Sequence, residues 1–436
     1  SAREPLGWVC GHTVTSSQLL ETLGSQDAAA YVRRHTSGRI MMVDSVVSLS
    51  PQTQGACRQL VNELLARSLK TDHTYALCRC NGTEQLYQEL LQLGFLPIPG
   101  QPDILSVDMR SPMVLIQDVF LWMKEPLRSA DAIRQAVEKT RPKLRSALSA
   151  LFPGRLLLSF DAETLNQSLW HKVQAHNQVL DVPAGQRRLG PYMCVPYGKI
   201  LRGVAVPNTV TKTLRTDKVY EPDLSAYSIE AYPDYSPLAD QVRTIRAFDR
   251  PVILVDDMLH DGKRIRRLAP LLRQTHTQVD QVLVGYLTGM GRDLMEQLGY
   301  PVDSIYYLPN LRRWFVESTL YPFIGGDTVR RPGRLPGGLQ PSVNRILPYA
   351  SPELPDVDGG AVWQLSLCCL ENARDILLAL ETEYRSLYAR NLTLARLGEA
   401  VILPLCPDKG PCMTYDLTRA ASTYLDGDIE QLRRMR

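Results

Sequence analysis

An α/β fold is predicted by three features of the sequence. Val252-Ile253-Leu254-Val255 is an uninterrupted β-favouring run that enters Asp256-Asp257 and then a glycine-containing turn. Such a run suits a strand buried on both faces, as in a parallel sheet covered by helices. Between residues 186 and 330 strand-like and helix-like segments alternate, the pattern of strand–helix–strand units. From Val362 to Leu397 the apolar residues recur with strong helical periodicity, so a helical C-terminal region follows.

The composition bounds the function classes. A chain of 436 residues suffices for two or three domains and needs no disulfide to hold a core. With 44% hydrophobic and 22% charged residues, wholesale disorder is excluded. A net charge of +3 argues against a nucleic-acid-coating protein but permits a local basic pocket for a phosphorylated ligand. Seven histidines disfavour a multi-histidine metal site, and nine dispersed cysteines read as reduced, cytoplasmic protein. No apolar run reaches membrane-spanning length, and Ser1-Ala2-Arg3-Glu4-Pro5 has no secretory apolar segment, so no membrane partner is expected. This start reads as a mid-protein cut, and the chain as a piece of something longer. Homo-oligomerisation is left open.

In chain order, Leu19, Leu20, Leu23, Ala28, Tyr31 and Val32 line one side of helix between residues 15 and 35. Ile40 to Leu49 reads as one or two strands, broken by Pro51. A helix bearing Leu60, Val61, Leu64 and Leu65 then opens at Gln52 to Cys57, and Ala76 to Cys80 is a short strand. Asn81 is the expected cap of the next helix, which Gly94 ends. Residues 111–185 read as a largely helical connecting region in which Pro142 bends or splits a helix from Ala130 to Leu151. Its basic cluster of Lys139, Arg141, Lys143 and Arg145 reads as a solvated helix face. Leu156 to Phe160 is a strand candidate before Asp161, a helix cap. Strands are expected at Gly203 to Pro207, Ser228 to Tyr232, Val282 to Tyr286 and Ser304 to Leu308, with a helical stretch from Val210 to Arg215. Residues 331–360, rich in Pro and Gly, read as a linker, and 361–436 as the helical C-terminal region.

The order strand, Gln52-x-x-Gly55-x-Cys57, helix, strand, and then Leu86-Tyr87 to Gly94-Phe95, resembles the second half of a GNAT-type N-acetyltransferase over residues 38–110. That family's signature is Q/R-x-x-G-x-G/A, and Cys57 is bulkier than the usual last residue. The resemblance implies a truncated α+β domain in residues 1–110. It also implies acetyl-CoA binding at Gln52, Gly55 and Cys57, with Tyr87 as general acid toward the leaving thiolate. A helix N-terminus suits the CoA pyrophosphate on physical grounds. The alternative is a degenerate domain used only for packing or assembly.

The stretch from Val252 to Arg264 resembles the ribose-phosphate signature of type I phosphoribosyltransferases, and residues 190–330 follow that family's strand order. The family's threonines are replaced by His260, Asp261 and Arg264 around Gly262 and Lys263. The resemblance implies a parallel-sheet domain binding PRPP, with Asp256 and Asp257 on the ribose diol and Mg²⁺. It also places Asn208 and Thr209 at the pyrophosphate, near Lys199, Arg202, Lys212 and Arg215. Trp314, Phe315 and Phe323 become base-platform candidates. Two carboxylates and a helix N-terminus at the carboxyl end of a strand suit a sugar phosphate and a hydrated Mg²⁺. Arg264 is expected to grip the 5′-phosphate bidentately.

The leading expectation is a transferase of nucleotide metabolism that moves phosphoribosyl to or from a nitrogenous base. Its rivals are a non-catalytic nucleotide-binding sensor or assembly module, and an acetyl-CoA-dependent N-acetyltransferase.

Overall fold

The computed structural model describes residues 7–49, 55–80, 84–183, 188–199, 205–331, 336–410 and 414–435. Gln52, Asn81 and Arg202 lie outside the described residues. The architecture is mixed α/β, with three sheets among the described residues.

The first sheet runs β1 (Gly7–Val14), β2 (Arg39–Ser48), β3 (His73–Arg79), β5 (Gln101–Gln117), β14 (Arg313–Val316), with β4 (Leu96–Ile98) and β6 (Arg155–Asp161) also on β5. Its spine is β5. Residues 104–108 pair antiparallel with β3, whereas Met113–Ile116 pair parallel with both β6 and β14. Residues 111–117 were expected in a helical region; instead they complete this strand. The reason is burial on both faces: Met113, Val114, Leu115 and Ile116 are at most 1% exposed, and only a central strand provides that in a four-residue run. A domain boundary at residue 110 therefore cuts through a strand, and β14 arrives from the other side of the chain to join the same sheet.

The second sheet has the order β13 (Val302–Tyr307), β12 (Val279–Leu287), β11 (Val252–Leu259), β7 (Met193–Pro196), β8 (Val210–Thr211), and every pairing in it is parallel. Strand β11 is its centre. Alternate residues serve opposite faces, as the two-residue period of a strand requires. Ile253 and Val255 pack with Leu165, Leu169 and Val173 of helix Ala162–His176. Val252 and Leu254 pack with Leu238 and Val242 of helix Leu238–Arg246 and with Ile265 and Leu268 of helix Lys263–Gln274. Each of these four strand residues is wholly buried, contributing about 1.5–3 kcal/mol of transfer free energy.

The third sheet, β10 (Tyr227–Ala231), β9 (Thr216–Tyr220), β15 (Asp327–Val329), β16 (Gln340–Val343), β17 (Leu405–Pro407), is assembled from three distant parts of the chain. It corrects two expectations. The stretch from Val210 to Arg215 is not helical, and the region 331–360 carries a strand, β16. We call this sheet the hood, because it faces the carboxyl end of β11.

The C-terminal region is helical as expected. Helix Gly359–Tyr388 is capped by Asp358, whose side chain accepts from Ala361 N–H at 3.2 Å. It packs through Leu365, Leu370, Ile376 and Leu380 on Ile133, Val137, Leu144 and Leu148 of helix Asp131–Leu151. That second helix is continuous through Pro142, because its apolar face is pinned on both sides of the proline. Among the described residues no helix is long and apolar enough to cross a membrane.

Candidate functional site

Strand β11 carries Asp256 and Asp257 in its carboxyl-terminal half, with Asp257 two residues before its last residue Leu259, and they are only 2% and 5% exposed. The turn His260-Asp261-Gly262 follows, and helix Lys263–Gln274 begins. Gly262 has φ 66°, and a Cβ there would lie 2.1 Å from Leu294 Cδ2, so glycine is required for this turn. The Asp261 carboxylate accepts from Lys263 N–H at 3.3 Å. The helix N-terminus, Asp256 and Asp257 line a cavity of about 720 Å³, at the sheet edge where open α/β folds bind ligands.

The acidic pair is electrostatically managed from within. Asp256 Oδ1 accepts the Asp257 N–H at 2.8 Å. Burial first, and the Asp257 charge second, push the Asp256 carboxyl well above the usual carboxylate range, with Arg264 opposing both. Arg264 turns back from the helix to stand 3.5 Å from Asp256 and 3.7 Å from Asp257. It stands as the counter-ion of the acidic pair, because two buried carboxylates demand a cation, and its Nε is buried without a hydrogen-bond partner. Asp257 Oδ1 is buried and has no hydrogen-bond partner, which leaves it an acceptor without a donor apart from the Arg264 charge 3.7 Å away. That orphan oxygen fits the sequence-based expectation of a diol and Mg²⁺ site.

The loop facing the pair is Tyr197-Gly198-Lys199, not Pro207-Asn208-Thr209. The strand before it is Met193–Pro196; of the expected strand Gly203 to Pro207, Gly203 and Val204 lie outside the described residues and residues 205–207 form no strand. A Cβ on Gly198 would lie 2.2 Å from Asp257 Oδ1 and 2.3 Å from Asp256 Oδ1, so the bare backbone packs on the carboxylates. Asn208 and Thr209 sit elsewhere. Asn208 donates to Val182 O at 3.1 Å, and Thr209 accepts from Asn177 at 2.9 Å.

The hood closes the cavity with cations and rings. Buried Lys199 donates to Gly326 O at 2.6 Å and to Asp327 at 3.1 Å, while Lys218 reaches the other Asp327 oxygen at 3.2 Å. Burial opposes the charge of Asp327, yet Lys199 and Lys218 overcome it and hold its carboxyl well below the usual range. Lys218 and Lys263 stand 4.4 and 3.9 Å from the Tyr227 ring, a cation–π wall. Trp314 and Phe315 of β14 line the same cavity, and Trp314 lies 4.8 Å from the His260 ring. The buried Nδ1 of His260 has no partner.

Asp256, Asp257, His260, Asp261, Gly262, Lys263, Arg264, Trp314 and Phe315 are thus brought together. Phe323 is not among them: it is fully buried against Tyr415 and Tyr424. Gly198, Lys199, Lys218, Tyr227 and Asp327 were missed. The apolar-then-turn pattern at Met193 to Lys199 repeats that of β11 and was the available signal for the first two.

Tyr87, Gly55 and Cys57 belong to a different place, on helices Glu84–Leu91 and Ala56–Ser68. Gly55, at φ 84°, is the N-cap of the second helix. Its N–H donates to Glu89 Oε1 at 3.2 Å, and the Arg58 N–H donates to Glu89 Oε2 at 2.6 Å. An internal carboxylate therefore stands where a pyrophosphate was expected. Cys57 and Tyr87 pack, partly buried, against the neighbouring core. Burial, with Glu89 adding to it, pushes the Cys57 thiol up.

No family model matches the chain and no curated protein matches it, so a reading of the cavity draws on its own residues.

Proposed function

We propose that the cavity binds a ribose 5-phosphate ligand, with PRPP and its Mg²⁺ foremost, and transfers phosphoribosyl to or from a nitrogenous base. The observation that carries the reading is an Asp257 oxygen that makes no hydrogen bond beside Asp256, near the carboxyl end of the central strand of a parallel sheet and one turn before a helix N-terminus. The helix end supplies N–H groups and a positive dipole for the 5′-phosphate. Asp256 and Asp257 are the residues that would hold the ribose diol or the Mg²⁺ carried on pyrophosphate.

In the transfer the C1–O bond to pyrophosphate breaks, and pyrophosphate leaves with the electron pair. A ring nitrogen of the base forms the new C1–N bond. The protein's part is orientation and charge: Lys263 faces the departing anion, and Trp314 offers a face to the base. No side chain acts as a nucleophile.

The experiment is calorimetric titration with PRPP, with and without Mg²⁺, on the parent protein and on Asp257→Asn, alongside an assay for pyrophosphate release. Mg²⁺-dependent binding lost in Asp257→Asn is expected, with release once the right base is supplied. Absence of PRPP binding sinks the reading.

A second reading, a non-catalytic nucleotide sensor, is favoured by one observation. Lys199 and Lys218 already neutralise Asp327, which leaves fewer cations for a pyrophosphate. Binding without release across the common bases would establish it. The acetyltransferase reading predicts a melting-temperature rise with acetyl-CoA; the Glu89 carboxylate at the Gly55 turn weighs against it.

A further inference from the structure

Helix Asp131–Leu151 was expected to present a solvated basic face. Lys139 and Lys143 do face solvent, but Arg145 is 6% exposed and the Arg141 side chain 14%. Both line a second cavity, of about 1000 Å³, together with Arg58, itself 6% exposed. Its other walls come from helices Ala56–Ser68 and Glu84–Leu91 and from β6.

We propose that this cavity is a binding site for the phosphate or pyrophosphate group of a phosphorylated small molecule, held by Arg58, Arg141 and Arg145. The hydrogen-bond inventory supports it. Arg141 makes no hydrogen bond through Nε or Nη2, and Arg58 makes none through Nε, although these atoms are buried. Arg58 spends Nη1 on Ser159 at 2.7 Å, and Arg145 spends Nε on Gln92 at 2.8 Å.

Two of the nearby carboxylates are engaged elsewhere, while Glu317 is buried beside Arg141 without a hydrogen bond. Glu89 accepts the Gly55 and Arg58 backbone N–H groups, and Asp161 accepts from Glu163 and Thr164 at the start of their helix. Arg141 approaches Asp161 and Glu317 at 3.5 Å and 3.6 Å and lies over the Phe120 ring, 5.2 Å from its centroid. Three guanidinium groups that repel one another are thus gathered with donors to spare, an arrangement folding alone does not favour.

The strain is visible in their acidity. Burial, with Arg141 adding to it against Glu89, pulls Arg58 down to about 10. Burial and the charges of Arg58 and Arg141 pull Arg145 down to about 9. A compact anion of two or more charges relieves both, and guanidinium forks match phosphate oxygens bidentately. The cavity is far larger than a bare phosphate, and its remaining wall is rich in amides. Gln117 Nε2, buried and unpartnered, is aimed at the hydroxyl or carbonyl groups of the attached molecule. This proposal stands independently of the ribose-phosphate reading.

Inorganic pyrophosphate is the probe, read by thermal shift and by hydrogen exchange on the whole chain. Exchange keeps the two cavities apart, because peptides covering 56–62 and 138–146 report on this one and peptides covering 256–264 on the other. Pyrophosphate is expected to raise the melting temperature and to protect 56–62 and 138–146. Arg141→Gln is expected to weaken binding at least about tenfold, the scale of lost charge-assisted hydrogen bonds. Arg141 carries the test because its guanidinium makes no hydrogen bond that the fold needs, whereas Arg58→Gln risks the contact to Ser159. Absence of protection at 56–62 and 138–146, or parent-like affinity in a folded Arg141→Gln, overturns the proposal.

Discussion

The Arg264 guanidinium lies 3.5 Å from the Asp256 carboxylate and 3.7 Å from that of Asp257, so the residue that follows the glycine turn neutralises the acid pair that precedes it. This closes a local circuit within one strand–turn–helix unit. It also changes what substitutions there should do, since removing one partner of a buried pair leaves the other uncompensated.

Arg264→Ala should therefore cost about 3–5 kcal/mol of stability. Its pH dependence is specific. Losing the cation lifts the Asp256 carboxyl of the folded state further, and a raised carboxyl loses stability as pH rises through its folded value. The deficit should be larger at pH 8 than at pH 5 in denaturant melts. Asp256→Asn, by contrast, removes the repulsion with Asp257 while leaving Arg264 one counter-ion, and should be close to neutral. A deficit for Arg264→Ala that does not change with pH would show that the guanidinium serves packing alone.

Gly198 is the second point of sensitivity. Its missing side chain leaves room for both carboxylates, with a notional Cβ 2.2 and 2.3 Å from their oxygens. Gly198→Ala should cost roughly 1–3 kcal/mol by overpacking and should lower PRPP affinity by displacing the carboxylates. Thermal melting and calorimetry on the same protein check it, and an undisturbed melt would mean that the loop moves freely off the pair.

Trp314, 39% exposed and tilted on His260, is positioned to stack a base. Trp314→Ala should weaken binding of ligands that carry a base by about 0.5–1.5 kcal/mol and leave ribose 5-phosphate affinity unchanged. Equal losses for both ligands would assign Trp314 to the cavity wall rather than to the base.

The legible part of this protein was the part whose partners are near in sequence. Strand β11, its turn and its helix declare themselves because burial on both faces, a required glycine and helical spacing fall within one short stretch. The second half of β5 did not, since a four-residue apolar run has no period that distinguishes strand from buried helix. Its identity comes from β6 and β14, the latter drawn from Arg313–Val316. The hood was hidden for the same reason: β15 and β17 are three-residue strands whose pairing is entirely long-range. The approach of Arg264 to the acid pair was not legible, because a sequence displays the charge of a side chain but not what it folds back upon. Arg141 and Arg145 carry the same lesson. They flank Leu144, and only the packing of their helix decides that they face a cavity.

That inward turn has a measurable consequence at Glu317, the carboxyl beside Arg141. Glu317 is wholly buried, and both its oxygens lack hydrogen-bond partners. Burial raises its pKa from 4.5 to about 7; Asp118 adds to the shift, while Arg141, the Val119 backbone and Arg145 oppose it. Below pH 4.5 the carboxyl is protonated in both folded and unfolded chains. Between pH 4.5 and 7 the unfolded chain ionises while the folded one resists, so stability falls across that window and levels off above it. A shift from 4.5 to about 7 corresponds to roughly 3 kcal/mol. Glu317→Gln keeps the shape and removes the titration. Its stability relative to the parent should therefore be higher at pH 8 than at pH 5, by an amount of that order, in urea melts at the two pH values. The same substitution removes the one carboxylate that approaches Arg141 from β14's end of the cavity, so it should also tighten pyrophosphate binding at pH 8. If the parent and Glu317→Gln show parallel stability across pH 5 to 8, then Arg141 keeps Glu317 ionised throughout, and its guanidinium is committed to that pair rather than held ready for an anion.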